Sequence, residues 1–182
     1  MGHVFGLLHE HQRLDRAHSV QYNCVNVIGY SKALDAATRA GFTKDQLCQD
    51  SAVAEKFGFL GAQYTLNWGL SGSYYDYDSI MHYDSWVASD PALIAHDPTN
   101  PDYYPLVKLQ NGVKSLLPVP PYFPNFHVSV GDRAAILLLY PWRSPSADMG
   151  SADKGLGADR SGSNSSVVAA STLVTVVAPK AT

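Results

Sequence analysis

The sequence predicts one small domain in which short helices are joined by long irregular loops. Three segments between residues 31 and 57 are rich in helix formers and are bounded by capping residues or glycines, which is typical of short helices. Eight of the eleven prolines fall in two stretches, residues 91–105 and 116–126, where they disfavour regular structure. Hydrophobic residues make up 46% and charged residues 16% of the 182-residue chain, which fits a globular domain.

The three expected helices follow one another closely. Ser31 is a favourable N-cap for the first helix, and Gly41 is expected to end it because glycine adopts positive φ without steric cost. Thr43 can cap a second short helix that runs through Leu47, and a third helix is expected over residues 51–57.

The rest of the domain is expected to be less regular. The first six residues are interpreted as the stub of a helix, residues 20–28 as an extended segment, and residues 64–83 as a turn-rich segment. Residues 129–132, Ser-Val-Gly-Asp, form an S-x-x-D capping pattern. This pattern opens a last helix that is expected to run through Leu139.

The composition changes at residue 144. Serine, glycine, alanine and aspartate dominate residues 144–166, which is typical of a flexible linker. Residues 167–177 are apolar but short; they could form a strand if a partner exists, and disorder is the favoured interpretation. We therefore expect a folded domain over residues 1–143 and a flexible tail over residues 144–182.

Two histidines near the start of the chain have the spacing of metal ligands. Residues 3–9 form the pattern H-x-x-G-x-x-H, the last part of H-E-x-x-H-x-x-G-x-x-H. In the full pattern, two histidines on one helix face share a zinc ion, and the glycine lets the chain reverse so that a third histidine returns to the metal. His3, Gly6 and His9 satisfy the last three requirements, and two surface histidines around a helix end are the alternative interpretation.

A second motif lies further along the chain. Residues 79–83, Ser-Ile-Met-His-Tyr, have the form S-x-M-H-Y. With both motifs in this order, the chain resembles the astacin family of metzincin zinc endopeptidases, most closely its microbial or fungal members. Residues 13–16 also match the family's R-x-D-R stretch, whereas Ala17 departs from the aspartate that usually follows. The resemblance covers about residues 3–142.

The resemblance implies an α+β fold of the zincin (metzincin-like) type. This chain would be mainly the C-terminal lobe of that fold, with helices and long irregular loops. The N-terminal lobe that normally completes the cleft would be missing, and Val4, Phe5 and Leu7 or Leu8 would then lose their cover.

The resemblance also assigns roles to individual residues. His3 and His9 would bind zinc as neutral imidazoles, and Gly6 would turn the chain between them. Tyr83 would be the distal tyrosine that lies near the metal and hydrogen-bonds the oxyanion. Met81 would form an apolar floor under the ligands, and Glu10 would be a buried acid whose usual partner belongs to the missing lobe.

The implied function is zinc-dependent hydrolysis of peptide bonds by a secreted endopeptidase that acts on proteins or peptides. The first histidine and the catalytic glutamate of the motif would directly precede Met1, so we expect a fragment or a gene model that begins late. Without that general base, the chain as given is expected to be inactive. The alternative function is a non-catalytic pseudoprotease or a peptide-binding or regulatory module.

Composition excludes other classes of partner. The net charge of −3 and the lack of a basic patch argue against nucleic acid. No run of about 18 apolar residues exists that could form a transmembrane helix.

The two cysteines, Cys24 and Cys48, would pair in a secreted protein and close a loop of about 25 residues. Unpaired thiols, or partners in upstream sequence, are the alternatives.

The remaining histidines lack metal-ligand spacing. We interpret His11, His18, His96 and His127 as surface or hydrogen-bonded residues, and His82 as structural.

Overall fold

A computed structural model describes residues 2–67, 74–118 and 128–141. Over these ranges the chain is an α+β protein in which short helices surround one small antiparallel sheet. The helices are α1 (Tyr30–Arg39), α2 (Lys44–Gln49), α3 (Ser51–Lys56), α4 (Pro91–Ile94) and α5 (Val130–Leu139), and the strands are β1 (Val20–Tyr22), β2 (Leu106–Gln110) and β3 (Val113–Ser115). The expected tail, most of the proline-rich stretch 116–126, and His127 and Trp142 lie outside the described residues.

The first three helices stand where they were expected, with altered ends. Thr43 caps α2 through a capping box, in which its hydroxyl accepts from the amide of Gln46 and the Gln46 side chain accepts from the amide of Thr43. The prediction that Ser31 caps α1 is wrong, because Gly29 occupies the N-cap with a φ of 80° and Ser31 lies within the helix. Glycine tolerates this left-handed conformation better than serine does, which explains the earlier start.

The difference between Thr43 and Ser31 leads to a first prediction. Thr43→Ala removes a cap and is expected to lower the free energy of unfolding by about 1 kcal/mol. Ser31→Ala, at an exposed position inside α1, is expected to change stability by less than about 0.5 kcal/mol. Urea unfolding followed by circular dichroism measures both variants, and equal losses would contradict the assigned caps.

The sheet was only partly expected from the sequence. β1 falls at the start of the predicted extended segment, and Val20 pairs with Lys108 of the central strand β2. β2 and β3 form a hairpin that the sequence analysis missed. Its two turn residues, Asn111 and Gly112, have φ values of 51° and 78°, and Asn-Gly is the preferred pair where both turn residues need positive φ.

Two further segments also depart from expectation. The loop over residues 91–105 contains a helical turn, α4, which begins at Pro91 and is capped by the carboxylate of Asp90. Proline suits a first helical position because its missing N–H would have no partner there. The start of the chain forms a 3-10 helix, Gly2–Phe5, rather than the stub of an α-helix.

The core lies between the sheet and helices α1 to α3. A disulfide joins Cys24 to Cys48 and so connects the short 3-10 helix Cys24–Asn26 to α2. This is the pairing that the sequence analysis expected for a secreted protein. Tyr64 is fully buried, stacks on Tyr22 at 5.1 Å between ring centroids, and donates a hydrogen bond to the carbonyl of Val87. The fully buried apolar side chains of the same cluster include Val27, Ala37, Leu47, Ala54 and Leu106.

The last described helix, α5, begins with the predicted cap, since the hydroxyl of Ser129 accepts from the amide of Asp132 at 2.9 Å. Among the helices of the described ranges, none is long and apolar enough to cross a membrane.

Candidate metal centre

The structure brings His3 and His9 together. Gly6 ends the first 3-10 helix with a φ of 79°, and the chain reverses there as the motif predicts. The reversal places the two imidazoles edge to face, with their Nε2 atoms 3.2 Å apart. The Nε2 atom of His3, before the turn at Gly6, and that of His9, after it, therefore face the same point.

Each ring is oriented through its other nitrogen. The Nδ1 atom of His9 contacts the carbonyl oxygen of Met81 at 2.8 Å, and that of His3 contacts the carbonyl oxygen of Leu7 at 3.1 Å. Because a carbonyl only accepts, each Nδ1 carries the proton of the neutral ring. Each Nε2 then presents a lone pair, and the two lone pairs repel unless a cation or a shared proton lies between them.

This donor set fits a zinc ion. Two nitrogens that bind one tetrahedral zinc at about 2.0–2.1 Å lie about 3.3 Å apart, close to the separation of the two Nε2 atoms. Nδ1–H groups fixed by backbone carbonyls are also the usual outer support of zinc-binding histidines. Burial lowers the pKa of His9, which favours the neutral form that a metal requires; the hydrogen bond to Met81 opposes this effect and His3 adds to it.

Met81 supports the pair in two ways. Its buried side chain lies against the start of the chain, where a Cβ at Gly2 would come within 2.2 Å of the Met81 sulfur. Its carbonyl oxygen accepts from His9 and also from the amide of Glu10 at 3.2 Å. The sequence analysis gave Met81 only the first of these roles.

Tyr83 flanks His9. The centroids of the two rings are 4.6 Å apart, and the Tyr83 hydroxyl donates to the side-chain oxygen of Gln63 at 3.2 Å. Tyr83 also stacks on His11, with 4.3 Å between the ring centroids. The Tyr83 ring thus lies beside His9, and its hydroxyl is held by a side chain that the sequence analysis had not selected.

His11 and His82 are structural histidines. His11 is fully buried, bonds through Nε2 to the carbonyl of Gln63 at 3.0 Å, and has a pKa well below its usual value because of burial. His82 donates from Nδ1 to the carbonyl of Tyr83 and accepts at Nε2 from the hydroxyl of Tyr75. Of the two predicted alternatives, His11 is therefore a buried, hydrogen-bonded residue and not a surface residue. His18 and His96 are exposed.

Glu10 has its partners within the chain. Its carboxylate accepts from the guanidinium of Arg13 at 2.6 Å and from the amide of Asp76 at 2.9 Å. Burial raises the pKa of Glu10, while the Asp76 amide and Arg13 counteract this effect. Glu10 therefore links the segment around His9 to residues 76–81. Its carboxylate is engaged by these partners and is not a free base for the two Nε2 atoms.

In the described ranges, no group of three or more His, Cys, Asp or Glu side chains is arranged to hold a metal. The two histidines therefore supply two potential ligands within these ranges. Several apolar side chains of this segment are exposed: Val4 is 81% exposed, Phe5 42% and Leu8 39%, whereas Leu7 is buried.

Comparisons with known proteins returned no match to a protein-family model, to a curated protein or to a solved structure.

Proposed function

We propose that this chain belongs to a secreted zinc-dependent endopeptidase of the metzincin type, related to the astacins. The observation that carries the proposal is the distance of 3.2 Å between the Nε2 atoms of His3 and His9. The Nδ1 atom of each ring is hydrogen-bonded to a backbone carbonyl, so each Nε2 offers a lone pair. The proposal places the first histidine and the glutamate of the motif directly upstream of position 1 in a longer protein, as part of the N-terminal lobe.

The roles of the residues follow from their contacts. His3 and His9 would hold zinc as neutral ligands, oriented by the carbonyls of Leu7 and Met81. When bound, zinc supplies polarisation of the scissile carbonyl and lowers the pKa of water. The hydroxyl of Tyr83 can leave Gln63 and donate to the oxygen that becomes negative in the transition state.

Zinc binding tests the ligand pair directly. The metal-free 182-residue chain is expected to bind zinc, and Co²⁺ should give the absorption of a histidine-bound ion. His9→Ala removes a direct ligand, so we expect its zinc affinity to fall by roughly 100-fold or more, beyond the loss typical of an outer-shell change. His96→Ala, which removes an exposed histidine, is the matched control and should leave affinity unchanged. If wild type and His9→Ala bind zinc equally, the histidine pair shares a proton and is no metal site.

A second candidate is a non-catalytic binding or regulatory module. It is compatible with the contacts of Glu10, whose carboxylate accepts from Arg13 and from the amide of Asp76 and so does not act as the general base, which the motif places upstream. The chain as given should accordingly hydrolyse casein slower than a complete enzyme by roughly 10²–10⁴ from loss of the base alone. An upstream reading frame that encodes His-Glu directly before position 1 would decide for the enzyme.

A further inference from the structure

A buried carboxylate, Asp132, holds the segment that orients His9. Asp132 is 5% exposed and lies in the first turn of α5. Its Oδ1 accepts from the hydroxyl of Ser79 at 2.7 Å, and its Oδ2 accepts from the amide of Ile80 at 2.8 Å. The same Ser79 hydroxyl oxygen accepts from the amide of Met81 at 3.0 Å. The Asp132 side chain thus holds Ser79 and Ile80 directly and Met81 through the Ser79 hydroxyl, although it lies much later in the sequence than these residues.

The contact continues to the metal ligand. Fixing the amides of Ile80 and Met81 fixes the peptide plane that precedes the Met81 carbonyl, and this carbonyl receives the Nδ1–H of His9. The direction of the His9 ring, and which of its nitrogens carries the proton, therefore depend on where this carbonyl lies. Asp132 acts on His9 through two intervening hydrogen bonds.

A second set of hydrogen bonds links the start of α5 to the segment around His9. The hydroxyl of Ser129 donates to Oδ2 of Asp76 at 2.5 Å, and the amide of Asp76 donates to Glu10, the neighbour of His9. Gly131 permits this close approach, because a Cβ there would come within 2.3 Å of the Asp76 carboxylate. The start of α5 is therefore attached at two points to the segment around His9.

The geometry points to Asp132 as a positioning residue for the metal ligand His9. The inference rests on the proposed function, because it gives α5 the task of holding a zinc-binding imidazole in its neutral, Nδ1-protonated form. α5 thereby becomes a part of the site, although it contributes no ligand to it.

Asp132→Asn is the first variant to measure, in the full 182-residue chain. An amide has one acceptor oxygen where the carboxylate has two, so either the Ser79 hydroxyl or the Ile80 amide loses the oxygen to which it donates. Long-range ¹H–¹⁵N NMR of the metal-free protein reports the tautomer of His9. We expect wild type to show Nδ1–H and the variant to show an added Nε2–H population. Zinc affinity should fall about tenfold, the low end for an outer-shell change.

Asp50→Asn is the matched control. Asp50 also accepts from two backbone amides, at the cap of α3, and this substitution removes the same charge. It should leave the His9 spectrum and zinc affinity unchanged. If Asp132→Asn does not fold, Ser79→Ala replaces it and is expected to give the same tautomer change, because it removes the bonds to Asp132 and Met81.

The outcomes are separable. A folded Asp132→Asn or Ser79→Ala variant with the wild-type His9 tautomer would overturn the positioning role. A wild-type protein that binds no zinc would overturn the proposed function, and the NMR comparison would still decide the role of Asp132.

Discussion

Removing the disulfide between Cys24 and Cys48 is expected to lower the free energy of unfolding by about 3.5 kcal/mol, the chain-entropy value for a loop of about 25 residues. The bridge closes a loop that contains all of α1 and most of α2, so its loss frees the unfolded chain across that whole region. It also detaches the 3-10 helix Cys24–Asn26 from the core, in which both sulfur-bearing residues are buried. Urea unfolding of the Cys24→Ala/Cys48→Ala variant measures the effect.

Wild-type protein under a strong thiol reductant provides the control for this measurement. It keeps the size of both side chains, so agreement with the double alanine variant would assign the loss to the crosslink and not to a cavity. A change below about 1 kcal/mol in both samples would contradict the assigned role of the bridge.

Elements governed by neighbouring residues were the ones that the sequence predicted well. The Thr43 cap depends on Gln46 three residues away, the Ser129 cap depends on Asp132 at the same spacing, and the reversal at Gly6 needs only positive φ. The Asn111-Gly112 turn carries an equally local signal, an Asn-Gly pair, from which the hairpin could have been predicted.

Contacts between distant residues could not be predicted in this way. The burial of His11 depends on the carbonyl of Gln63, and the orientation of His9 depends on the carbonyl of Met81; carbonyls belong to every residue and give no sequence signal. The S-x-x-D pattern identified the start of α5, but nothing local to it indicated that Asp132 also reaches Ser79. The two histidines could be assigned as a pair from their spacing, whereas their support could not.

Protonation of His82 is expected to make the fold weaker in acid. Burial lowers the pKa of His82 from 6.5 to about 4, against the opposing effect of the Tyr83 carbonyl, and nearby His9 lowers it further. The side chain is 6% exposed, and its neutral form is satisfied on both nitrogens by Tyr83 and the hydroxyl of Tyr75. The charged form would have to exist in this enclosed site, with the ring of the buried His11 5.9 Å away between ring centroids.

The sign follows from the two states. Between pH 4 and 6.5 the unfolded chain binds a proton at His82 that the folded chain excludes, so the free energy of unfolding falls as the pH falls through this range. The stability is fully present above about pH 6.5, and its loss reaches roughly 3 kcal/mol at pH 4, at about 1.4 kcal/mol per pKa unit. Carboxylates also titrate near the acidic end, so the informative quantity is the difference between wild type and a variant without this imidazole.

Urea unfolding of wild type and His82→Gln from pH 4 to 7, in EDTA, isolates the His82 contribution. Glutamine does not titrate, so the stability advantage of wild type over this variant should shrink by roughly 3 kcal/mol as the pH falls from 7 to 4. His96→Gln changes an exposed histidine and should run parallel to wild type throughout. Parallel curves for His82→Gln as well would mean that the folded protein accepts a charge at His82. In that case the pairing with Tyr75 and Tyr83 does not hold this imidazole neutral, and the segment that carries Met81 is less enclosed than its contacts indicate.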